Sequence, residues 1–193
     1  MAPRPVPNPN ERASNVPREL LPPPDDEFDY DAKPANQFRV YTCVTFDAFH
    51  WGHINFLRKA REVAEREAPG KELFVIVGLC SDEACAGGKR LPIFPWEERA
   101  ASVYACRHVD HVFKAEYVTP KERFEKMKVD IFVTGSDYTI EGIRKYFPGS
   151  EHLWRPVGYT EGISTTDICR RFQERGEIRS KPIEGCVAAT DAA

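Results

Sequence analysis

The chain has 193 residues, of which 41% are hydrophobic and 30% charged, and this composition is typical of a soluble globular protein rather than a fibrous one. The formal net charge of −3 provides no basic field for a polynucleotide, so we expect no nucleic-acid partner. No apolar run approaches the roughly 20 residues needed to cross a bilayer, and there is no secretory signal pattern. We therefore expect a cytoplasmic protein without membrane insertion.

The cysteines of the chain are scattered, without a CxxC pair. This distribution favours buried, reduced thiols over a zinc site, and we expect no metal ion held by protein ligands alone. The six are Cys43, Cys80, Cys85, Cys106, Cys169 and Cys186.

Both ends of the chain differ in composition from its middle. Residues 1–37 are rich in proline and acidic side chains, which predicts a disordered tail because such a segment buries too little apolar surface to offset chain entropy. Residues 181–193 are predicted to be a flexible tail as well. The folded domain is therefore expected to span residues 38–180.

Within that domain, strand-like runs alternate with helical periodicity. Strands are predicted over residues 39–46, 71–82, 108–115, 129–137 and 152–157. Helices are predicted over residues 52–67, 95–107, 119–128, 140–147 and 164–175. This alternation predicts an α/β fold: a Rossmann-like parallel sheet with helices on both faces, in a single domain. Ligands bind such sheets at the carboxyl ends of the strands, near the point where the strand order reverses.

The first of these strand ends carries the sequence TFDAFHWGH, in which His50 and His53 flank Gly52. A zinc pair would need further ligands, and packed core histidines are the ordinary alternative. Two histidines at a junction between strand and helix favour a third interpretation, phosphate binding, because imidazoles and helix N-terminal amides together meet negative charge. Gly52 would let a ligand approach the backbone.

TFDAFHWGH resembles the signature of the HxGH nucleotidyltransferase superfamily, and TEGISTTDI, from Thr160 to Ile168, resembles the second signature of its cytidylyltransferase branch. The similarity spans roughly residues 38–175. It implies a CTP-dependent enzyme that condenses CTP with a phosphorylated small alcohol, giving a CDP-alcohol and pyrophosphate. It also implies Mg²⁺ bound with the triphosphate and a homodimer.

The resemblance implies roles for particular residues. The catalytic groups would be His50, His53 and Lys89, with Lys89 on a mobile loop that contains Gly87 and Gly88. The nucleotide would contact Thr45, Phe46, Asp47, Gly52, Arg99, Gly135, Asp137, Tyr159, Thr160, Gly162, Ile163, Ser164 and Thr165. The acceptor alcohol would contact Asp82, Lys89, Trp96 and Tyr138.

Simpler roles remain open for four of these residues. Asp47 and Ser164 are each a candidate helix cap, although Asp47 could instead orient a histidine. Lys89 is alternatively a solvated surface charge. Arg99 is alternatively in a surface ion pair with an acid such as Glu97.

Three positions depart from the family pattern. Tyr159 stands in place of the arginine that opens the second signature, and Arg155 is a candidate replacement for the lost cation. Val44 and Ser136 replace a glycine and an aspartate. These changes keep open a regulatory or scaffold protein that binds a nucleotide without turnover, and an adenylyltransferase is the remaining alternative. Glycerol 3-phosphate is the first expected acceptor, followed by phosphoethanolamine and phosphocholine.

Overall fold

The computed structural model describes residues 15–88 and 91–175, and in these ranges the chain forms strands alternating with helices. The strands are β1 (Gln37–Val44), β2 (Glu72–Cys80), β3 (His111–Ala115), β4 (Ile131–Gly135) and β5 (Trp154–Val157). The helices are α1 (Trp51–Glu67), α2 (Asp82–Gly88), α3 (Trp96–Tyr104), α4 (Lys121–Met127), α5 (Ile140–Tyr146) and α6 (Thr165–Arg175). All five predicted strands and all five predicted helices are confirmed, and α2 is an addition to them.

The strands form one sheet in the order β3-β2-β1-β4-β5, with every neighbouring pair parallel. The chain proceeds outward from β1 to β3, then returns to place β4 on the other side of β1. The strand order therefore reverses between β1 and β4, which is where a ligand crevice is expected in a doubly wound sheet. The predicted Rossmann-like α/β fold is confirmed.

Each face of the sheet is covered by its own hydrophobic cluster. On one face, Leu57 of α1 and Val103 of α3 pack with Val40 and Val75 of the central strands. On the other face, Phe124 of α4 belongs to a cluster of aromatic and aliphatic side chains that also includes Tyr41, Phe113, Phe132 and Ile143. Burial on both faces explains why the central strands are apolar along almost their whole length. No helix within the described ranges is long and apolar enough to cross a membrane.

Residues 15–36, which we call the N-terminal strap, pack against the folded domain. Phe28 and Tyr30 lie against the cluster of the second face, and Leu21 lies against that of the first. The prediction of a disordered tail up to residue 37 is wrong for this part of the chain. The strap contains two 3-10 turns, Arg18–Leu20 and Asp25–Glu27. Tyr30 is only 3% exposed, and Phe28 stacks on His111 with ring centroids 4.3 Å apart. These two aromatic rings provide the buried apolar surface that the acidic, proline-rich composition concealed.

The strap is fixed at Asp25 by polar contacts to the folded domain. The Arg123 guanidinium donates to both carboxylate oxygens at 2.7 and 2.8 Å, and the Tyr30 hydroxyl donates at 2.6 Å. Burial by itself would raise the pKa of Asp25, but hydrogen bonds with His111, Arg123 and Tyr30 outweigh it and hold that pKa far below its ordinary value. The carboxylate is therefore ionised at all physiological pH values and holds the strap against α4 and β3.

We expect Asp25→Asn to destabilise the protein by on the order of 1–3 kcal/mol, because an amide replaces the charged acceptor of the Arg123 hydrogen bonds. Urea unfolding followed by circular dichroism measures this change. Asp26→Asn is the matched control, since Asp26 is exposed in the same 3-10 turn. Equal stability of the two variants would show that the strap is not anchored through Asp25.

Candidate active site

A cavity of about 370 Å³ lies at the carboxyl ends of the central strands, where the strand order reverses. Its lining includes residues from the ends of β1, β2, β4 and β5 and from the start of α1 and α6. Most of the predicted site residues are brought together here. They are Thr45, Phe46, Asp47, His50, Gly52, His53, Gly135, Asp137, Tyr138, Tyr159, Thr160, Ile163, Ser164 and Thr165.

His50 and His53 form a reciprocal cap at the start of α1. The Nδ1 atom of His50 accepts from the Gly52 backbone N–H at 3.1 Å, and Nδ1 of His53 accepts from the His50 N–H at 3.4 Å. Their rings are stacked, with centroids 3.7 Å apart. Because Nδ1 is an acceptor in each ring, the proton of each neutral imidazole lies on Nε2.

The Nε2 atom of His50 is a buried donor without a hydrogen-bond partner among the described residues. Buried polar groups in folded proteins are nearly always paired, so a donor of this kind next to a cavity indicates a ligand acceptor. His50 and His53 are not sealed in the core as ordinary packed histidines, because both line the cavity.

Both histidines are neutral at pH 7 in this structure. Burial, assisted by the adjacent His50, lowers the pKa of His53 to about 3. Burial also lowers the pKa of His50 below its ordinary value. The pair therefore offers two N–H donors to a ligand rather than two positive charges.

Asp47 follows the end of β1 and lines the cavity, where its carboxylate binds backbone amides. Its carboxylate accepts from the backbone N–H of Ile93 at 2.9 and 3.0 Å and from that of Phe94 at 3.2 Å, so it neither orients a histidine nor caps α1. Phe46 and Ala48 on either side have φ of 46° and 47°, in the left-handed region that non-glycine residues rarely adopt. Asp47 therefore ties the segment before α3 to a strained turn beside the cavity.

The start of α6 forms the opposite side of the cavity. Ser164 is an N-cap: its Oγ accepts from the Asp167 N–H at 3.0 Å and donates to the Asp167 carboxylate at 2.7 Å. The Thr165 hydroxyl donates to the Asp47 backbone carbonyl at 2.8 Å, which joins α6 to the loop after β1. The N-termini of α1 and α6, each with its partial positive charge, therefore lie at one cavity.

Two glycines in the lining have neighbouring side-chain atoms where a Cβ would lie. A Cβ on Gly52 would lie 2.7 Å from Ile163 Cγ2, and one on Gly135 would lie 2.5 Å from Asp137 Oδ1. At Gly52 the space without a side chain is thus taken by Ile163 and the His50 ring, rather than left open for a ligand as predicted. Gly135 allows the Asp137 carboxylate to fold back over the end of β4.

Arg99 does not line the cavity. It is 1% exposed, and its guanidinium donates to three backbone carbonyls, those of Thr45 at 2.6 Å, Cys80 at 2.9 Å and Phe94 at 3.0 Å. It also donates to the Asp82 carboxylate at 2.6 Å. Neither the predicted nucleotide contact nor the surface ion pair with Glu97 is found, because this guanidinium joins the ends of β1 and β2 from within.

The predicted acceptor residues are not assembled into one cage. Tyr138 lines the cavity, but Asp82 is paired with Arg99, and the Trp96 indole donates to the Leu79 carbonyl at 3.0 Å.

The prediction of a mobile loop that contains Gly87 and Gly88 is wrong, because both glycines lie in α2. Lys89 lies outside the described residues. Gly162, in a turn with φ of 82°, is not part of the lining.

Comparison with known proteins agrees with this geometry. A family model described as Cytidylyltransferase-like matches residues 41–171, more than half of the chain. The chain belongs to the cytidylyltransferase-like family. The predicted membership of the cytidylyltransferase branch is thereby confirmed.

Several curated proteins are similar to this family member. The ethanolamine-phosphate cytidylyltransferase of Mus musculus is 36% identical over 138 residues, covering 69% of this chain and 32% of the mouse protein. That of Dictyostelium discoideum is 33% identical over 143 residues, covering 69% of this chain and 36% of its own length. The Bifunctional protein HldE of Photorhabdus laumondii is 30% identical over 151 residues, covering 75% of this chain and 30% of that protein. The match thus spans about a third of the length of these relatives.

The loop that contains Tyr159, the residue in place of the family arginine, is held by two hydrogen bonds from α1. Asn55 donates to the Thr160 hydroxyl at 2.9 Å, and Lys59 donates to the Gly158 carbonyl at 2.7 Å. Neither residue was predicted, because both contacts join positions about 100 residues apart. Tyr159 on this loop is 63% exposed. Arg155 does not replace the missing arginine, since it is paired with Glu67.

Burial of His53 makes stability depend on pH. The pKa is about 6.5 in an unfolded chain and about 3 in the folded one, so between these values only the unfolded state binds the proton. We expect His53 to lower the free energy of unfolding by about 2 kcal/mol as pH falls from 7 to 5.

Urea unfolding of the wild type and His53→Gln at both pH values tests this expectation, with exposed His152→Gln as the control. The pH dependence of stability should weaken only in the His53 variant. If the free energy of unfolding of His53→Gln depended on pH as strongly as that of the wild type, the assigned role of His53 would be wrong.

Proposed function

We propose that this protein transfers CMP from CTP to a phosphorylated small alcohol, forming a CDP-alcohol and releasing pyrophosphate. The observation that carries the proposal is the His50 Nε2 donor, buried at the cavity and without a partner among the described residues. Membership of the cytidylyltransferase-like family and the similarity to ethanolamine-phosphate cytidylyltransferases support the same reaction.

In this reaction a phosphate oxygen of the acceptor attacks the α-phosphorus of CTP, and the bond to the β-phosphate breaks. The protein accelerates such a step mainly by positioning the reactants and by stabilising charge on the transferring and leaving oxygens. His50 and His53 supply Nε2–H donors for those oxygens without carrying charge themselves. The backbone amides at the start of α6 that Ser164 does not cap would bind the leaving pyrophosphate. Lys89 would hold the phosphates of both substrates, as the family resemblance implies.

We propose that Mg²⁺ enters with CTP. The described residues contain no group of three or more His, Cys, Asp or Glu side chains suited to hold a metal ion. Mg²⁺ is commonly held by substrate phosphates together with one or two carboxylates. Asp137 is the carboxylate that fits this role, because it lines the cavity whereas that of Asp47 is occupied by backbone amides.

As the acceptor we propose phosphoethanolamine, ahead of the glycerol 3-phosphate expected first from the sequence. The names of the similar mouse and slime-mould proteins favour it. Tyr117 and Tyr138 also line the cavity, and an aromatic ring attracts an ammonium group but has no comparable attraction for glycerol hydroxyls.

Release of pyrophosphate, measured for CTP, ATP, GTP and UTP against phosphoethanolamine, glycerol 3-phosphate and phosphocholine, tests the proposal. We expect turnover with CTP and phosphoethanolamine. Turnover only with ATP would identify an adenylyltransferase, and CTP binding without turnover in any pair would identify a nucleotide-binding regulatory protein. Either result would overturn the proposed activity.

We expect Tyr159→Arg to tighten CTP binding about tenfold, because it restores a cation beside the α6 N-terminus. A charge-assisted hydrogen bond is worth roughly 1.5–3 kcal/mol, and the exposure of Tyr159 reduces the gain. Titration calorimetry with CTP measures the dissociation constant. Tyr159→Gln, which has no charge, is the matched control. Equal or weaker binding by the arginine variant would show that the triphosphate lies elsewhere.

We also propose a homodimer. Trp51 and Ile54 lie one turn apart on α1 and are 55% and 39% exposed, which leaves apolar surface beside the first signature. Sedimentation equilibrium gives the mass in solution, and a monomer at micromolar concentration would contradict this proposal.

A further inference from the structure

Three thiols form part of the cavity wall and have no role in the proposed transfer. Cys43 lies near the end of β1, Cys80 at the end of β2, and Cys85 in α2, and all three line the cavity. Each is at most 6% exposed, so small molecules reach them through the cavity rather than from the outer surface.

Cys43 and Cys80 are neighbours on one face of the sheet. Cys43 is in register with Gly78 of β2, and Cys80 lies two residues further along the same strand, so both side chains point to the same side. Their sulfur atoms are 3.8 Å apart. A disulfide has a sulfur separation of about 2.0 Å. The two sulfurs therefore need to approach by about 1.8 Å. Because diagonal neighbours on adjacent strands have Cα atoms roughly 7–8 Å apart, beyond the usual span of a disulfide, the ends of β1 and β2 must also move together.

The two thiols are chemically unequal. The hydrogen bond from Cys80 is the main cause that lowers the pKa of Cys43, against the opposing effect of burial. The same interaction raises the pKa of Cys80. The Arg99 guanidinium donates to the Cys80 carbonyl, so its fixed positive charge lies on the Cys80 side of the pair. Since the thiolate is the nucleophilic form, we assign the first attack to Cys43, and either order of attack gives the same disulfide.

We propose that Cys43 and Cys80 are a redox-sensitive pair, and that a hydroperoxide converts them to a disulfide in the cavity wall. The Cys43 sulfur attacks the O–O bond of hydrogen peroxide, which forms a sulfenic acid and releases water. The Cys80 sulfur then attacks the sulfenic sulfur, and the S–O bond breaks to release a second water. Two thiols and one hydrogen peroxide thus give one disulfide and two waters, with both sulfurs oxidised and the peroxide oxygens reduced.

This disulfide changes the shape of the substrate cavity. It draws the ends of β1 and β2 together beside Thr45, whose hydroxyl lies 3.4 Å from the Cys85 sulfur. Oxidation should therefore lower turnover, and a thiol reductant should restore it. This consequence rests on the proposed function, whereas formation of the bond itself does not.

The test treats the full chain with hydrogen peroxide, blocks remaining thiols by alkylation, and identifies linked peptides by mass spectrometry. We expect a peptide pair joining Cys43 to Cys80, with a mass loss of two hydrogens, that disappears after dithiothreitol. CTP bound in the cavity should slow its formation several-fold. Pyrophosphate release by the same samples should fall at least tenfold and recover with the reductant.

Cys43→Ser and Cys80→Ser should each abolish the linked peptide and the reversible loss of turnover. For each variant, the rate of pyrophosphate release after peroxide treatment is compared with the rate of the same variant before treatment. Cys106→Ser and Cys169→Ser are controls at cysteines outside the cavity lining. A link between other cysteines, or sulfenic acid alone, in the wild type would overturn the proposal even if a serine variant failed to fold. If no substrate pair turned over, peptide mapping would still show whether the disulfide between Cys43 and Cys80 forms.

Discussion

His50→Asn and His53→Ala are each expected to lower the rate of pyrophosphate release by about 10²–10³, the loss typical when one donor to developing charge is removed. Asparagine at position 50 keeps an acceptor for the Gly52 N–H, because asparagine is a good N-cap, but it removes the Nε2 donor. His50→Asn therefore separates the structural role of this residue from its role toward the ligand.

His50→Ala completes the comparison. It should lose the same catalytic factor and also about 1 kcal/mol of stability, because the cap of α1 is lost. His152→Ala, at an exposed position, is the control for removal of an imidazole. Turnover like that of the wild type in His50→Asn or His53→Ala, with an intact circular dichroism spectrum, would remove the basis of the proposed mechanism.

Arg99→Ala is expected to destabilise the protein by about 3–5 kcal/mol, the range for removing one partner of a buried charge pair. The change leaves three carbonyls without their donor and leaves Asp82 without its cation. Arg99→Lys should recover only part of this loss, since a single ammonium cannot reach four acceptors spread around a planar guanidinium. Urea unfolding measures both variants.

Arg144→Ala is the control, because Arg144 is exposed and its contact with Glu151 is 3.7 Å long. Surface pairs of this kind contribute roughly 0–1 kcal/mol. If Arg99→Ala instead weakened CTP binding and left stability unchanged, Arg99 would contact the nucleotide as the family resemblance implied. The two measurements together separate the two roles.

The fold and the centre of the site were predictable because their signals are local. The strand and helix periods are read within windows of about ten residues, and the TFDAFHWGH and TEGISTTDI segments follow strand ends that a parallel sheet brings together. Even α2 had a local signal: Ser81 accepts from the Ala84 N–H at 3.0 Å and precedes two acidic residues, a typical helix start. Gly87 and Gly88 at the end of α2 favoured a mobile loop over a helix in the prediction from sequence.

The failures concern contacts between distant positions. Arg99 reaches the carbonyl of Thr45, 54 residues earlier, so its burial depends on the register of two strands and not on its own helix. Asp25 is bound by Arg123 across 98 residues, and composition alone gave no indication of that partner. The neutral charge state of His50 and His53 likewise follows from packing that becomes defined only once the sheet has formed.

The N-terminal strap sets the limits of any recombinant fragment. A fragment cut at residue 41, where the family match begins, would lack the first four residues of β1 and both aromatic rings that cover the second face. Phe74 and His111 would face solvent, and Arg123 would lose its carboxylate acceptor. Such a fragment should be prone to aggregation, whereas a fragment that keeps residues 15–36 retains the contacts of Asp25, Phe28 and Tyr30.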